Sequence, residues 1–446
     1  LCGLVGSEMC IRDRASDPYY VQRQAYFQDL YVLLWMLSNS TDGTKGFDAA
    51  KCAQWAANVV EFRDADSTMT PFEYDADPSN GWQVDGDASK VDSSTDRKLV
   101  FGTERPELVI TETSAWEDDT TGELFIMLHR PWNAKAYAKP VSNQPPVSIS
   151  AEPVDAALDA YKSNDPTQGP LDMVDLGRKS GDTKTNTLDQ NTYPVWRLRI
   201  VSGGQTSYVR LDTTNASGNE QAPSDITETN TPRVGADGWL CLQPKTPSGL
   251  VQADASATPA KFATFRVPGT PLAPGTPRDA TVYLERLTDP AATVRRGDSS
   301  WTNDPTADPS KLTEAQLNGM AVYRVVDQAT IQVVNRVPVA PGAPPAPPSK
   351  TTRVANGATA FWKSDFPVPV PGPTVTLAPL KPGAAPNDNP VWFHWPNRPL
   401  NGTPELLLVH RLDSANLLKT YTKPSMAPAA TDDNYLPGLL KTLKNP

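Results

Sequence analysis

The chain has 446 residues and a formal net charge of −10, with a pI near 5.0. That balance argues against a nucleic-acid partner or an anionic membrane surface, because both are held through basic patches. Its 45 prolines are about twice the usual share of roughly 5%, so long loops are expected around a core that 38% hydrophobic residues still allow.

In chain order, 1–14 (LCGLVGSEMCIRDR) reads as a translation artefact and is set aside from the fold. The chain starts at Leu1 and ends in TLKNP, so it reads as an internal fragment. Setting 1–14 aside removes Cys2 and Cys10 and leaves Cys52 and Cys241, with no CxxC or metal-type spacing. Phe27, Leu30, Tyr31, Leu34 and Leu37 then recur at helical spacing among the polar Gln22, Gln24, Gln28 and Asp29, which predicts an amphipathic helix. The apolar run within it, 32–37, is far shorter than the roughly 18 residues of a membrane span. A second helix is expected after Asp48 as N-cap, with Cys52, Trp55, Ala56, Val59 and Phe62 facing inward. Together the two predict a helical hairpin.

Between Glu61 and Asp96 stand ten acids against two bases, so this stretch carries −8 of the net charge. Carboxylates this dense repel unless water or a cation screens them. Calcium is the natural cation, since it takes six to eight oxygens in flexible geometry, and Asp64, Asp66, Asp85 and Asp87 are its candidate ligands. Asp85 and Asp87 flank Gly86 as in many calcium loops, though the full EF-hand pattern is absent. A solvated acidic loop and a catalytic carboxylate pair are the other readings.

From Glu104 the period changes to two. Leu108, Val109 and Ile110 lead to an acidic tip at Glu117, Asp118 and Asp119, and Leu124, Ile126 and Leu128 then share one face of a second strand. Further strands are expected at 195–200, 207–211, 238–243 and 281–287, with polar insertions at 133–190 and 213–233. A polar stretch at 288–319 holds a short helix at 311–318, and 320–326 with 330–337 reads as a closing hairpin. Such spacing predicts an antiparallel β-sandwich, and a mainly β, α+β fold once the N-terminal helices are included. The segment 338–390 holds 14 prolines and reads as an extended connector. Strands near 392–395 and 405–409 and a terminal helical run close the chain. The implied division is 15–102 for helices and acidic loop, 103–337 for the sandwich, 338–390 for the linker and 391–446 for a C-terminal part that packs back on it.

No catalytic motif stands out. His129, His394 and His410 occur singly, and there is no HExxH, GxSxG, P-loop or GxGxxG pattern. Glu112, Glu117, Asp118, Asp119 and Glu123 are the only acids grouped as a glycosidase would need, and they read more simply as a solvated hairpin tip. Trp116, Trp132 and Trp301 read as exposed aromatics, a hint of a binding surface.

Three runs carry a family resemblance: AQWAANVVEFRDADSTMTPFEYDADPSNGWQVDGD at 53–87, FGTERPELVITET at 101–113 and WFHWPNRPLNGTPELLLV at 392–409. They resemble the bacterial Verru_Chthon cassette protein A family, which implies a protein of the cell envelope or exterior, encoded beside pilin-like proteins. VVEFRDAD followed by acids is similar to the helical domain of K-type minor pseudopilins, whose corresponding region binds calcium. Ile110-Thr111-Glu112 and Phe125-Ile126-Met127-Leu128 resemble the paired strands of the immunoglobulin-like lamin-tail fold, with Met127 in place of Glu and Arg130-Pro131 in place of Asn-Pro. Three functions are therefore weighed: a non-catalytic assembly component partnered by pilin-like proteins, an extracellular polysaccharide- or protein-binding module, and a hydrolase with an unrecognised carboxylate site.

Overall fold

In the computed structural model the described residues are 18–38, 48–62, 68–87, 94, 96–104, 106–117, 122–130, 173–177, 194–216, 218–226, 232–235, 239–244, 260–262, 264–274, 276–288, 322–335, 349–355, 406, 409 and 411–424. Helix α1 (Pro18–Ser38) opens on proline, whose missing N–H costs nothing at a first helical position. Helix α2 (Ala49–Glu61) starts at the expected cap, where the Asp48 carboxylate accepts the Lys51 amide at 2.8 Å. That bond, with the Lys51 ammonium at 3.1 Å, holds the Asp48 carboxyl below its ordinary range. The helices pack as the predicted hairpin, through Phe27 and Tyr31 of α1 and Cys52, Ala53, Ala56 and Ala57 of α2. Small side chains on α2 let the helices approach closely.

Two expectations about α1 are corrected. Leu37 is exposed, whereas Arg23 and Gln24 are buried. The reason lies in strand β1 (Pro71–Asp75), which pairs on one edge with β2 (Arg97–Phe101) and leaves its other edge to the helix. The Gln24 amide donates to the Pro71 carbonyl at 2.7 Å and accepts from the Glu73 N–H at a longer 3.4 Å, so it stands in for a neighbouring strand. The Tyr31 hydroxyl donates to the Asp75 carbonyl at 2.6 Å, and Arg23 donates to Thr70 Oγ1 at 2.8 Å. Polar side chains turn inward here because an unpaired strand edge must be satisfied.

The remaining strands are β3 (Val109–Glu117), β4 (Gly122–His129), β5 (Met173–Asp175), β6 (Trp196–Ser202), β7 (Gln205–Arg210), β8 (Glu220–Gln221), β9 (Arg233–Gly235), β10 (Trp239–Pro244), β11 (Ala260–Phe262), β12 (Pro277–Leu287), β13 (Tyr323–Asn335), β14 (Ser349–Ala355) and β15 (Thr422–Pro424). Apart from the β5–β9 ribbon they form one sheet in the order β11-β10-β4-β3-β13-β12-β6-β7-β8, with β14 on β3 and β15 on β14. The sheet is mixed: β10–β11, β3–β13 and β7–β8 are parallel, the other pairs antiparallel. The expectation of purely antiparallel pairing is corrected by these three pairs.

The sheet is nearly a barrel, because its two ends meet. Pro223, just beyond β8, bridges Phe262 of β11. The Ser224 amide donates to the Lys261 carbonyl at 2.9 Å, and Gln221 exchanges bonds with the Arg266 backbone at 2.8 and 2.9 Å. Inside lies one apolar core to which Leu124, Ile126 and Leu128 of β4, Leu198 and Ile200 of β6, and Val282 and Leu284 of β12 contribute alternate residues. Gly203 and Gly204, both at positive φ, form the two-residue turn between β6 and β7.

Several sequence expectations change. The hairpin read at 320–337 is the single strand β13, in which Val326 is left out of register opposite the Leu284/Glu285 step. A bulge at Thr111 of β3 lies nearby, and the Asp327 carboxylate accepts the Ile110 amide at 2.6 Å there. Strand β14 falls inside the proline-rich segment, in the proline-free run SKTTRVA, whose Thr351, Thr352 and Val354 suit a strand. Leu406 and Val409 are not in a strand. The helical run near the end is α3 (Ser414–Tyr421). Just before it, the Leu412 carbonyl accepts from Asn58 and Thr103, each at 2.9 Å, which ties the last described segment to α2. The stretches 1–17, 133–172, 178–193 and 289–321, with Asp118, Asp119, Trp132, Trp301, His394 and His410, lie outside the described residues.

Gly102 marks where the ribbon meets α2. A Cβ there would stand 2.1 Å from Glu61 Cγ and 2.7 Å from its Cδ. Gly102→Ala is expected to lower stability by about 1–3 kcal/mol through overpacking, read as a lower denaturation midpoint with unchanged slope; an unchanged midpoint would show that α2 yields freely.

Candidate functional site

Several of the described acids in this loop are held by hydrogen bonds of their own. Asp75 is fully buried and accepts the Asp77 amide at 2.9 Å with one oxygen and the Gln83 amide at 2.8 Å with the other. Asp77 accepts the amide and hydroxyl of Ser79, and Asp85 accepts the Asp87 amide at 2.8 Å. Three of the acids thus close turns on an amide two residues on, the ordinary use of aspartate in tight loops. Gly81 and Gly86 take the positive φ values the path requires.

Glu73 of β1 is the buried anchor of this loop. One oxygen meets Arg97 Nε at 2.6 Å and the other accepts the Gly86 amide at 3.0 Å. Asp85 also presses on it. Burial raises the Glu73 carboxyl to about 7 despite Arg97, and Asp85 pushes the same way. A cavity of about 200 Å³ opens beside it, lined by Gln24, Ala25 and Gln28 of α1 and by Trp82, Asp85, Gly86 and Asp87. The Trp82 ring lies 6.1 Å from that of Tyr31. Of the candidate metal ligands, Asp85 and Asp87 come together on the wall of this cavity, while Asp64 and Asp66 lie outside the described residues. Among the described residues no group of three histidine, cysteine, aspartate or glutamate side chains is arranged to hold a metal ion.

A second cavity, of about 270 Å³, lies on the outer face of the barrel between Pro194, Arg197, Tyr208, Arg210, Asn219, Glu220 and Tyr323. The Arg197 guanidinium sits between two rings, 3.7 Å from the centroid of Tyr323 and 4.7 Å from that of Tyr208. Glu285 receives Arg197 Nε at 2.8 Å and Arg199 Nε at 2.5 Å, while Arg210 grips Asp212 with two bonds of 2.9 and 2.6 Å. Tyr323 donates to the Pro194 carbonyl. Full burial pushes its phenol well above the ordinary range, so it stays a donor. The floor of the cavity is therefore fixed from below.

Of the hairpin-tip acids, Glu117 is not solvated. It is buried, paired with Arg278, and accepts the Leu272 amide at 3.1 Å. Trp116 is not exposed either; it is stacked on Phe125 at 5.2 Å in a small cluster with Cys241. His129 is buried within β4, as are the Cys52 and Cys241 thiols in their clusters. Sequence reasoning missed Glu73, Arg97, Gln24 and the Arg197–Arg210 layer. Glu73 between Phe72 and Tyr74 was the readable signal, a charge where a strand alternates with aromatics.

No protein-family model, no curated protein and no solved structure matches the chain.

Because the folded carboxyl of Glu73 titrates at about 7 rather than the ordinary 4.5, its contribution to stability is fully present below about 4.5 and is lost as pH rises through about 7. The difference in unfolding free energy between parent and Glu73→Gln, followed by denaturant titration across that window, is expected to fall with rising pH. A pH-independent difference would place the Glu73 carboxyl in a solvated setting.

Proposed function

We propose that the protein is a non-catalytic structural or assembly component of a bacterial pilin-like secretion cassette, working in the cell envelope or outside the cell. We further propose that its curled sheet is a variant of the immunoglobulin-like, lamin-tail-like sandwich. The antiparallel pairing of β3 with β4, where the two lamin-tail-like runs lie, supports the second part. The first is carried by α1. Its buried face holds Phe27 and Tyr31, yet Val21, Leu33, Met36 and Leu37 are 57–68% exposed on the opposite side. Apolar side chains on all sides of the last turns are what a helix needs to pack on a second helix while still anchored to its own domain. The partner chemistry is an apolar helix of a pilin-like subunit, as the cassette resemblance implies. No described helix is long and apolar enough to cross a membrane.

Placing charge on this apolar face, Leu33→Asp with Met36→Asp, is expected to abolish co-purification with the pilin-like proteins of the same cassette while leaving the melting temperature unchanged. Undiminished capture by the variant, or no capture by the parent, rejects the assembly role.

Calcium belongs to the same proposal, as a structural ion held by Asp85 and Asp87 with Asp64 and Asp66. If it binds the folded loop, added calcium raises the melting temperature by mass action, and Asp85→Asn with Asp87→Asn removes the rise. A flat melt at millimolar calcium dismisses the ion.

A further inference from the structure

We propose that the cavity at the end of the β6–β7 pair, away from its turn, binds a neutral, hydroxyl-rich ligand, a short carbohydrate. Its charges decide the class. Arg197, Arg199 and Arg210 face Glu285, Asp212 and Glu220, three cations against three carboxylates. A free anion would meet cations already bound to buried acids, with Glu220 repelling it at the rim. A cationic ligand would meet Arg197 and Arg210 in the wall. What the cavity offers is a dense set of planar hydrogen-bonding groups beside the half-buried ring of Tyr208, the Tyr323 ring being fully buried against Arg197.

That combination suits a sugar. The weakly polar C–H face of a pyranose covers an aromatic ring, and its hydroxyls, which donate and accept, pair with accepting carboxylates, donating guanidiniums and amides that do both. Tyr208 and Glu220 stand opposite each other where β7 pairs with β8, and Asn219 precedes Glu220 at the surface. The Asn219 amide is steered by donating to the Thr206 carbonyl at 3.1 Å, while its backbone carbonyl accepts the Tyr208 amide at 2.9 Å. The arginines below are already immobilised by their carboxylates and rings, so little side-chain freedom is left to lose on binding. The volume, about 270 Å³, lies at the lower end of ligand sites, which start at roughly 300 Å³. One or two sugar units are the expected occupant.

This site does not depend on the assembly role, because α1 takes no part in it. The test is calorimetric titration of the whole chain with cellohexaose and hexa-N-acetylchitohexaose, set beside an oligogalacturonate and a chitosan oligomer. Binding of a neutral oligomer is expected, insensitive to added salt. Tyr208→Ala and Glu220→Gln should each weaken it about tenfold. Because Tyr208→Ala also removes a ring from Arg197, Glu220→Gln with an unchanged melting temperature is the decisive variant. Binding of the charged oligomers alone, no heat with any of the four, or full affinity in Glu220→Gln overturns the proposal.

Discussion

Every strand edge in this molecule has to end in a hydrogen bond, and that constraint shapes it more than any single contact. A row of unpaired amides and carbonyls costs too much to bury and invites aggregation when exposed. The main sheet meets the requirement by curling until the segment after β8 reaches β11. The small β1–β2 ribbon is too narrow to curl, so α1 supplies Gln24 and Tyr31 as substitutes for a strand. At the β3 bulge the displaced Ile110 amide is taken by Asp327 from across the sheet. Barrel, helix and bulge are three answers to one demand.

The same economy governs the buried charges. Arg97 with Glu73, Arg286 with Glu107, Arg210 with Asp212, and Arg197 and Arg199 on Glu285 are all nearly excluded from water. Such pairs add little net stability over apolar side chains of the same shape, but losing one partner costs about 3–5 kcal/mol because the other charge stays buried. They therefore define position more than they strengthen the fold. Glu73 fixes the loop against α1, and the arginine layer fixes the wall of the outer cavity. The outer cavity owes its shape to charges that are already paired with one another.

The local elements were legible where one face decides the pattern. The Asp48 cap, the α1–α2 hairpin and the alternation of Leu124, Ile126 and Leu128 follow from spacing alone. Less legible was anything set by contact between distant segments. Phe125, Met127 and Trp116 are buried on the face that alternation assigns to solvent, where Trp116 and Phe125 stack on each other and cluster with Cys241 of the next strand. Gln24 reads as polar surface until β1 is placed beside it. The acids of 75–87 were read by charge, and their role is set by amides two residues on, a short-range signal that the count of charges hid. Strand β14 was lost in its surroundings, since a seven-residue strand carries little weight in a segment of 14 prolines. Of the candidate site, Asp85 and Asp87 were found and Glu73, which organises them, was not.

The edge of β3 carries one more implication. Val334 and Asn335 of β13 and the first half of β14 share that edge, so β3 meets β4 early and waits for its other neighbours until residues beyond 334 exist. During synthesis the nascent chain thus presents a half-paired hairpin from the end of β4 until the end of β13 has emerged from the ribosome. Its yield in the cell will be governed by whatever shields that ribbon in the interval, a kinetic hazard that contacts of long sequence separation carry with them.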